Sequence, residues 1–519
     1  MAAHGLDYKT TAELDRKASI ELIENNGDLK QFDAGSTADA RERQPTVETC
    51  FEGYTEEETQ QRGKKLVRLI DFRVLPILIL LFLLNILDRN NIANAKVSGM
   101  SKDLKFNNLD YNNAILAMFV GYVAMQIPAG FILAKVPPAF FLSGAVFCWG
   151  IISMCCGFIK TKEQMIALRF LVGVAEAPFF PGALLILSSF YTRKEIAVRI
   201  AIMYSGNSLS NCFGGLIAAG VISGMEGKGG LRGWEWLFVL EGAVTAFVGI
   251  AVYWVLPSYP SKCKFFDEEQ RRLSVWRTTQ DAMGEADERE TSLKKGAKLV
   301  FKDWKILMLI FQQMFISCSQ SFSYFMPTIV KTLGYNTNQT LLLTAPPYMF
   351  AFICSVAVAY SSSRFNERGY HIAVPMAIAC VGNILVIVLP KSQVAGRYIA
   401  MFLLCLGSYC AFNLSFAWVT STIPRPKVKR AAALSLVNGL ANASHFFSPY
   451  FWTSSSSQAQ ADRNGGIALA VFSILVTCTA ITIKYTLQAQ NRKLDRLDEE
   501  DKPYTGSLEG IPKGYRFIS

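Results

Sequence analysis

Residues 71–99 read DFRVLPILILLFLLNILDRNNIANAKVSG, an almost uninterrupted apolar run from Val74 to Leu87 that ends in an acid, a base and a cluster of asparagines. About 20 apolar residues are what a helix needs to cross a hydrocarbon core of about 30 Å, so this stretch predicts a membrane-spanning helix that carries charge at bilayer depth. Eleven further windows of the same kind follow. The twelve predicted spans cover residues 72–92, 111–134, 138–158, 164–190, 199–223, 235–256, 304–330, 340–360, 371–389, 396–420, 430–452 and 466–489. The fold class expected is therefore an all-α integral membrane protein of twelve transmembrane helices in two six-helix bundles.

The composition agrees. Of 519 residues 51% are hydrophobic and 18% charged, too apolar for a water-soluble chain of several domains. The net charge of +11 resembles a nucleic-acid footprint, but the acids are segregated: 14 of 41 lie in residues 1–61, nine in 257–303 and six after 490. Basic charge dominates what remains, as suits a chain beside anionic headgroups, so the partner expected is the lipid bilayer and not nucleic acid. Ten of the twelve cysteines sit inside apolar runs without metal-ligand spacing and read as small core residues.

The domain organisation predicted is an acidic, disordered tail over 1–61, a first bundle over 62–256, a central loop over 257–303, a second bundle over 304–489 and a tail over 490–519. Arg62, Lys64, Lys65, Arg68 and Arg73 precede the first span, and the loop after the sixth is also basic. An even number of crossings puts both on one side, and the excess of basic residues makes that side, with both termini, cytoplasmic. No secretory leader is visible.

What is missing narrows the chemistry. No GxxxxGK[ST] loop is present to cradle nucleotide phosphates, and three histidines (His4, His371, His445) are too few for a histidine metal site or a histidine-based catalytic apparatus. The expectation is a protein that is not an enzyme and has no cofactor. His445 in the eleventh span reads as a packing residue.

Asp88 and Glu176 are the two carboxylates deep inside spans. An ionisable group there costs at least ~2.5–3.5 kcal/mol, so each reads either as a functional group facing a cavity or as half of an ion pair locking two helices. Counting ~1.5 Å per residue from Phe72 puts Asp88 about 24 Å in, and from Gln164 puts Arg169 about 8 Å and Glu176 about 18 Å from the other face. Asp88, Arg89 and Arg169 are thus expected in one outer layer and Glu176 near the midplane. Arg169 and Glu176, seven apart, share a helix face and are expected to line one cavity. Pro178 and Pro181 are expected to break the fourth span just beyond Glu176. Glu241 is a third embedded acid, expected to pair with Arg232. Gln312, Gln313, Gln320, Tyr324, Asn413, Asn438 and Asn442, polar residues of the second half, read either as ligand-binding groups or as hydrogen-bonding glue between helices.

These residues resemble the major facilitator superfamily, and within it the anion:cation symporters, in particular the fungal allantoate permease-like branch. The resemblance covers roughly residues 71–497. DRNNIANA (88–95) and RFLVGVAEAPFFPG (169–182) are its specific motifs, supported by SSFYTRKEIAVRIA (188–201), GWEWLFVLEG (233–242) and NRKLD (491–495). It implies two bundles built from inverted three-helix repeats that rock about a midplane site, with spans 1 and 4 lining it. Carried over from bacterial sugar-acid transporters and the sialic acid exporter, it makes Asp88 and Glu176 proton carriers and Arg89 and Arg169 the anion-handling pair. Two positions depart from the pattern. Lys135 in GFILAKVPPAFF stands where the wider superfamily favours an acid, and Ser363 in SSSRFNERGYH stands where relatives carry Asp before Arg364, so a cytoplasmic latch is expected to be weaker or built differently.

The function expected is proton-coupled uptake of a small organic carboxylate across the plasma membrane by a monomer. The resemblance implies allantoate, nicotinate, pantothenate, related vitamin-like acids or small peptides as substrates. The alternatives are proton-exchange efflux of a metabolite or drug, and a nutrient sensor with little transport.

Overall fold

The computed structural model describes residues 55–133, 135–283, 298, 300–390, 392–423, 427–452, 458–500 and 516–519. The chain divides into two units, residues 1–65 and residues 66–519. Of the first, residues 55–65 are described, and they run into helix Glu56–Arg73, so the predicted tail ends at a helix that begins six residues before Arg62. The parts of the predicted tails and loop at 1–54, 284–297 and 501–515 lie outside the described residues.

Every span in the second unit is helical, because a backbone in hydrocarbon must satisfy its amides and carbonyls within its own segment. Spans 1 to 3 are Leu75–Ala95, Asn108–Leu133 and Pro138–Cys155. Span 4 is broken into Lys162–Glu176 and Phe179–Phe190, and the break falls at Ala177–Pro178 as the prolines predict. Spans 5 and 6 are Arg193–Met225 and Gly233–Val255. Span 7 is Trp304–Ser319, a 3-10 turn over Gln320–Tyr324 and a short helix Met326–Lys331. Spans 8 to 10 are Thr337–Phe365, Gly369–Val388 and Val394–Thr422, and span 12 is Gln458–Glu499. Eleven described helices are long and apolar enough to cross a membrane. The remaining predicted span, 430–452, is a 17-residue helix Lys427–Ala443 followed by 3-10 turns that reach Trp452. Its polar start and Pro449 near its end leave too short an apolar stretch for one continuous helix.

Two faces need names. The connector side carries helix Glu268–Met283, which lies between spans 6 and 7; the far side is the other. On the connector side Asp71 takes both guanidinium arms of Arg199 (3.0 and 2.6 Å) and the Tyr191 hydroxyl (2.7 Å), while Arg277 of the connecting helix pairs with Glu195. The SSFYTRKEIAVRIA motif is thus the anchorage between span 5, the end of span 4 and the chain entering span 1.

Within each bundle the helices meet backbone to backbone. At Gly173 of span 4 a Cβ would lie 1.9 Å from the Met118 carbonyl oxygen of span 2, and at Gly121 of span 2 one would lie 2.3 Å from the Phe170 carbonyl oxygen of span 4. Spans 3 and 6 interlock likewise, with 2.4 Å left at Gly150 and at Gly242. Small residues at such crossings let helices approach where lipid supplies no hydrophobic drive between them. Between the bundles, spans 5 and 8 cross closely at Gly215, whose Cβ would meet Thr344 Oγ1 at 2.3 Å.

Candidate functional site

A cavity of about 110 Å³ lies between the bundles. Span 1 contributes Phe82, Asn85, Ile86, Arg89 and Asn90, steps of three, one, three and one residues that keep to one helix face. Span 2 adds Phe119 and Tyr122, span 5 Tyr204, Asn207 and Asn211, and the break in span 7 Gln320, Ser323 and Tyr324. Phe179 and Phe180 of span 4, Ser317 of span 7, Tyr409, Phe412 and Phe416 of span 10 and Asn438, Ala441, Asn442 and His445 of span 11 and its following turn complete the wall. Arg89 is the one Lys, Arg, Asp or Glu among these described lining residues.

Arg89 is held by Glu176, with Nε donating to Oε2 at 2.7 Å, and its guanidinium lies over the Tyr122 ring at 4.6 Å from the centroid. Glu176 is fully buried behind it and does not line the cavity, and its Oε1 has no hydrogen-bond partner among the described residues. The pair bridges the layers expected from the sequence, Arg89 reaching from one to Glu176 in the other. Phe72 belongs to the preceding helix and span 1 starts at Leu75, so Asp88 lies about 20 Å in and the length of the arginine side chain covers the rest.

Asp88 points away from the cavity into the first bundle. Its carboxylate accepts from Trp149 Nε1 (2.8 Å) and Ser153 Oγ (3.2 Å) of span 3 and from Thr245 Oγ1 (3.1 Å) of span 6. Adjacent residues on a helix diverge by about 100°, which is why Asp88 and Arg89 serve different surroundings. Arg169 is also buried, at 2% exposure, and does not line the cavity with Arg89. Its Nη1 donates to the backbone carbonyls of Asp88 (3.1 Å) and Arg89 (3.5 Å), and its guanidinium faces the Phe238 ring. Sharing a helix face with Glu176 therefore does not bring it to the same cavity, because that face meets span 1 backbone two turns nearer the far side. Glu241 accepts from Asn91, not from Arg232, which pairs instead with Asp103 at 2.8 Å.

Of the polar residues singled out in the second half, Gln320, Tyr324, Asn438 and Asn442 reach the cavity. Gln312 and Gln313 are fully buried elsewhere, Gln312 donating to Ser415 Oγ at 3.4 Å, and Asn413 lies half-buried outside it. Sequence reading missed Asn207 and Asn211. The signal was present as Asn-x3-Asn in span 5, repeated six spans later at Asn438 and Asn442. The two pairs make the same bonds: Asn211 Nδ2 donates to Asn207 O (2.8 Å) and Oδ1 (3.2 Å), and Asn442 Nδ2 to Asn438 O (2.8 Å) and Oδ1 (3.2 Å). Asn90 Nδ2 donates to Asn211 Oδ1 at 2.6 Å, which ties span 1 to that ladder.

Contacts across the bundles flank the cavity toward both sides. On the far side the Tyr111 hydroxyl donates to Tyr324 O (2.7 Å), the Tyr450 hydroxyl to Asn113 Oδ1 (2.7 Å) and Lys331 Nζ to Val97 O (2.5 Å). Lys96 Nζ sits 4.0 Å from the Tyr111 ring centroid, and His445 stacks on Phe119 at 4.2 Å. Toward the connector side the barrier is aromatic, with Tyr204 of span 5 stacked on Phe416 (5.0 Å) and edge-on to Phe412 (5.7 Å). Among the described residues no group of three or more His, Cys, Asp or Glu is placed to hold a metal ion.

The arrangement separates two arginines that the sequence grouped. Arg169→Lys removes the Nη1 donor that holds two carbonyls of span 1, so thermal stability and activity should fall together, by ~1–3 kcal/mol for the stability part. Arg89→Lys should leave the melting temperature near wild type while weakening ligand binding. A thermal-shift assay paired with a binding or uptake assay checks both.

The family model described as Major Facilitator Superfamily matches residues 78–449. An uncharacterized transporter of Schizosaccharomyces pombe is 31% identical over 388 residues, 74% of this chain and 77% of the relative. The MFS-type transporter efuF of Hormonema carpetanum is 32% identical over 72% of this chain and 75% of its own length, and the major facilitator-type transporter hxnP of Emericella nidulans 30% over 79% and 83%. Among solved structures, a bacterial homolog to the human lysosomal transporter Spinster shares the fold at a TM-score of 0.62 with 15% identity, covering 83% of this chain and 98% of that one. A D-xylose-proton symporter does so at 0.59 with 13% identity, covering 79% and 96%. With two bundles of spans enclosing a polar cavity, and with this match over most of its length, the chain belongs to the major facilitator superfamily and is a multi-pass membrane transporter.

Proposed function

We propose that the chain is a monomeric, proton-coupled symporter that takes up a small organic carboxylate across the plasma membrane, in the manner of the fungal allantoate permease-like branch of the anion:cation symporters. The observation that carries this reading is the Arg89–Glu176 pair, of which the arginine alone reaches the cavity. A guanidinium offers a planar fork to a carboxylate, and the rest of the described wall is amide, hydroxyl, aromatic and aliphatic, with no carboxylate to repel an anion.

Coupling follows from competition. Glu176 and a substrate carboxylate are rivals for the same guanidinium. A proton on Glu176 removes one rival and turns the full charge of Arg89 to the substrate; loss of that proton restores the pair and expels the anion. Asp88 is the second proton carrier in this reading, acting on span 1 from the Trp149, Ser153 and Thr245 side. Arg169 fixes the backbone of Asp88 and Arg89, while Tyr324, Asn438 and Asn442 contact the body of the substrate. Gln312 stays as a helix-bonding residue, and Asn413 lies outside the cavity.

The test is an uptake screen of radiolabelled carboxylate vitamins and ureides in cells expressing the protein, with and without a protonophore. Accumulation that the protonophore abolishes is the expected result. Substrate leaving loaded vesicles in exchange for protons would replace uptake by efflux, and binding without any flux would favour a sensor. Orientation is checked separately. A cysteine replacing the exposed Arg272 of the connecting helix should stay unlabelled by an impermeant maleimide on intact cells and react after permeabilisation. Labelling on intact cells would invert the topology.

A further inference from the structure

The NRKLD motif after span 12 has no place in the cavity, yet it is occupied. Asn491 reads the backbone of Phe517 from both sides, its Nδ2 donating to Phe517 O (2.8 Å) and its Oδ1 accepting from Phe517 N (2.8 Å). Asp495 takes Arg516 Nε at 2.6 Å and Asp498 takes Arg516 Nη2 at 2.8 Å. Trp418 Nε1 of span 10 donates to Ile518 O (2.9 Å), and the amide of Arg368, between spans 8 and 9, donates to Ser519 O (2.9 Å). The Phe517 ring is 4% exposed and lies under the ammonium of Lys305 of span 7, 5.0 Å from its centroid. Four residues are therefore read by four elements of the second bundle, through their backbone, the Arg516 guanidinium and one buried aromatic anchor. Anchors of this kind carry most of the affinity at a peptide interface.

What the segment grips matters as much. Trp418 lies two residues beyond Phe416, on the opposite face of span 10 from the barrier against Tyr204. Arg368 also holds this end of span 10, donating to Ala417 O and to Ser421 Oγ (2.7 Å). The loop between spans 8 and 9, where Ser363 replaces the usual acid, is thus bound to span 10 through Arg368 and to the segment through the Arg368 amide. All these contacts are within the second bundle. The segment consequently restrains span 10 itself and does not bolt one bundle to the other.

We propose that the connector-side face of the second bundle is a docking site for the segment Arg516–Ser519, and that the docked segment brakes the opening of the Phe412–Phe416 barrier by holding the end of span 10. The site is a receptor for a short Arg-Phe-Ile-Ser sequence, and occupancy in cis is its resting condition. Release frees span 10 to bend away from Tyr204.

The experiment needs no substrate, so its outcome is independent of the carboxylate reading. A variant ending at residue 515 is purified in detergent, and a fluorescently labelled peptide of residues 514–519 is titrated into it. Saturable binding is expected, at least tenfold weaker when Asn491→Ala is added. Hydrogen–deuterium exchange of residues 409–423 should be at least tenfold faster in the shortened variant than in the full chain, and should return to the full-chain rate when the unlabelled peptide is present. Asn491→Ala in the full chain gives a second route to release if the shortened variant does not fold. Absence of peptide binding overturns the docking site. Unchanged exchange over 409–423 after release overturns the brake.

Discussion

Cells carrying Glu176→Gln should lose proton-driven accumulation altogether while still exchanging substrate across the membrane. Glutamine keeps the acceptor that Arg89 donates to at 2.7 Å but carries no charge, so the side chain stands permanently in the equivalent of the protonated state. Arg89 then keeps its full charge for the substrate, and apparent affinity should rise. A monovalent anion moving with one proton can be concentrated roughly tenfold per pH unit, and moving with two it also draws ~2.3 kcal/mol from each 100 mV of membrane potential. In the variant the accumulation ratio should fall to that of passive exchange, about one for a gradient of pH alone. Counterflow from preloaded vesicles measures exchange, and net uptake under an imposed pH gradient measures coupling. Wild-type accumulation in Glu176→Gln, still abolished by a protonophore, would leave Glu176 as a packing residue. Asp88→Asn should instead reduce the voltage-dependent part, since its partners Trp149, Ser153 and Thr245 are all neutral donors that a carboxamide satisfies only in part.

The second large effect is structural. Gly173→Val should abolish folded protein, because even a methyl there would lie 1.9 Å from the Met118 carbonyl oxygen, and the obstacle is backbone, not a side chain that can turn aside. Spans 2 and 4 would have to part, exposing Glu176 three residues further along. The cost should exceed the ~1–3 kcal/mol typical of overpacking a core. Fluorescence-detected size exclusion of a tagged variant should show loss of the monodisperse peak. Gly130→Val, where a Cβ would meet nothing within 4 Å, is the control and should retain it.

The spans were legible because hydrocarbon imposes a length and a composition that a sequence cannot hide, and the break after Glu176 because Pro178 lacks an amide hydrogen. Membership of the superfamily was legible in the motifs of spans 1 and 4. Partners were harder. Asp88 is satisfied by Trp149, Ser153 and Thr245, residues on two other helices whose own runs look apolar, and no spacing rule connects them. The Arg89–Glu176 contact was obscured by counting depth from Phe72, which belongs to another helix, and by treating arginine as a point when it is a lever about 6 Å long. Asn207 and Asn211 went unnoticed because a neutral amide in a membrane helix costs little enough to raise no alarm. The docked residues 516–519 offer no period at all; their order comes from the groove that receives them.

The two asparagine ladders carry a consequence for how a substrate is oriented. Spans 5 and 11 stand six helices apart, so they are counterparts in two halves related by rotation about an axis along the membrane normal. A molecule on that axis meets in each half a pair of amides joined by the same internal bonds. Arg89 has no such twin in the described wall. One charge thus converts a chamber with matching amide ladders into a polarised one, and under the carboxylate reading proposed above the anionic end of the substrate would acquire a fixed address. A descendant that lost Arg89 would keep the chamber and lose the compass.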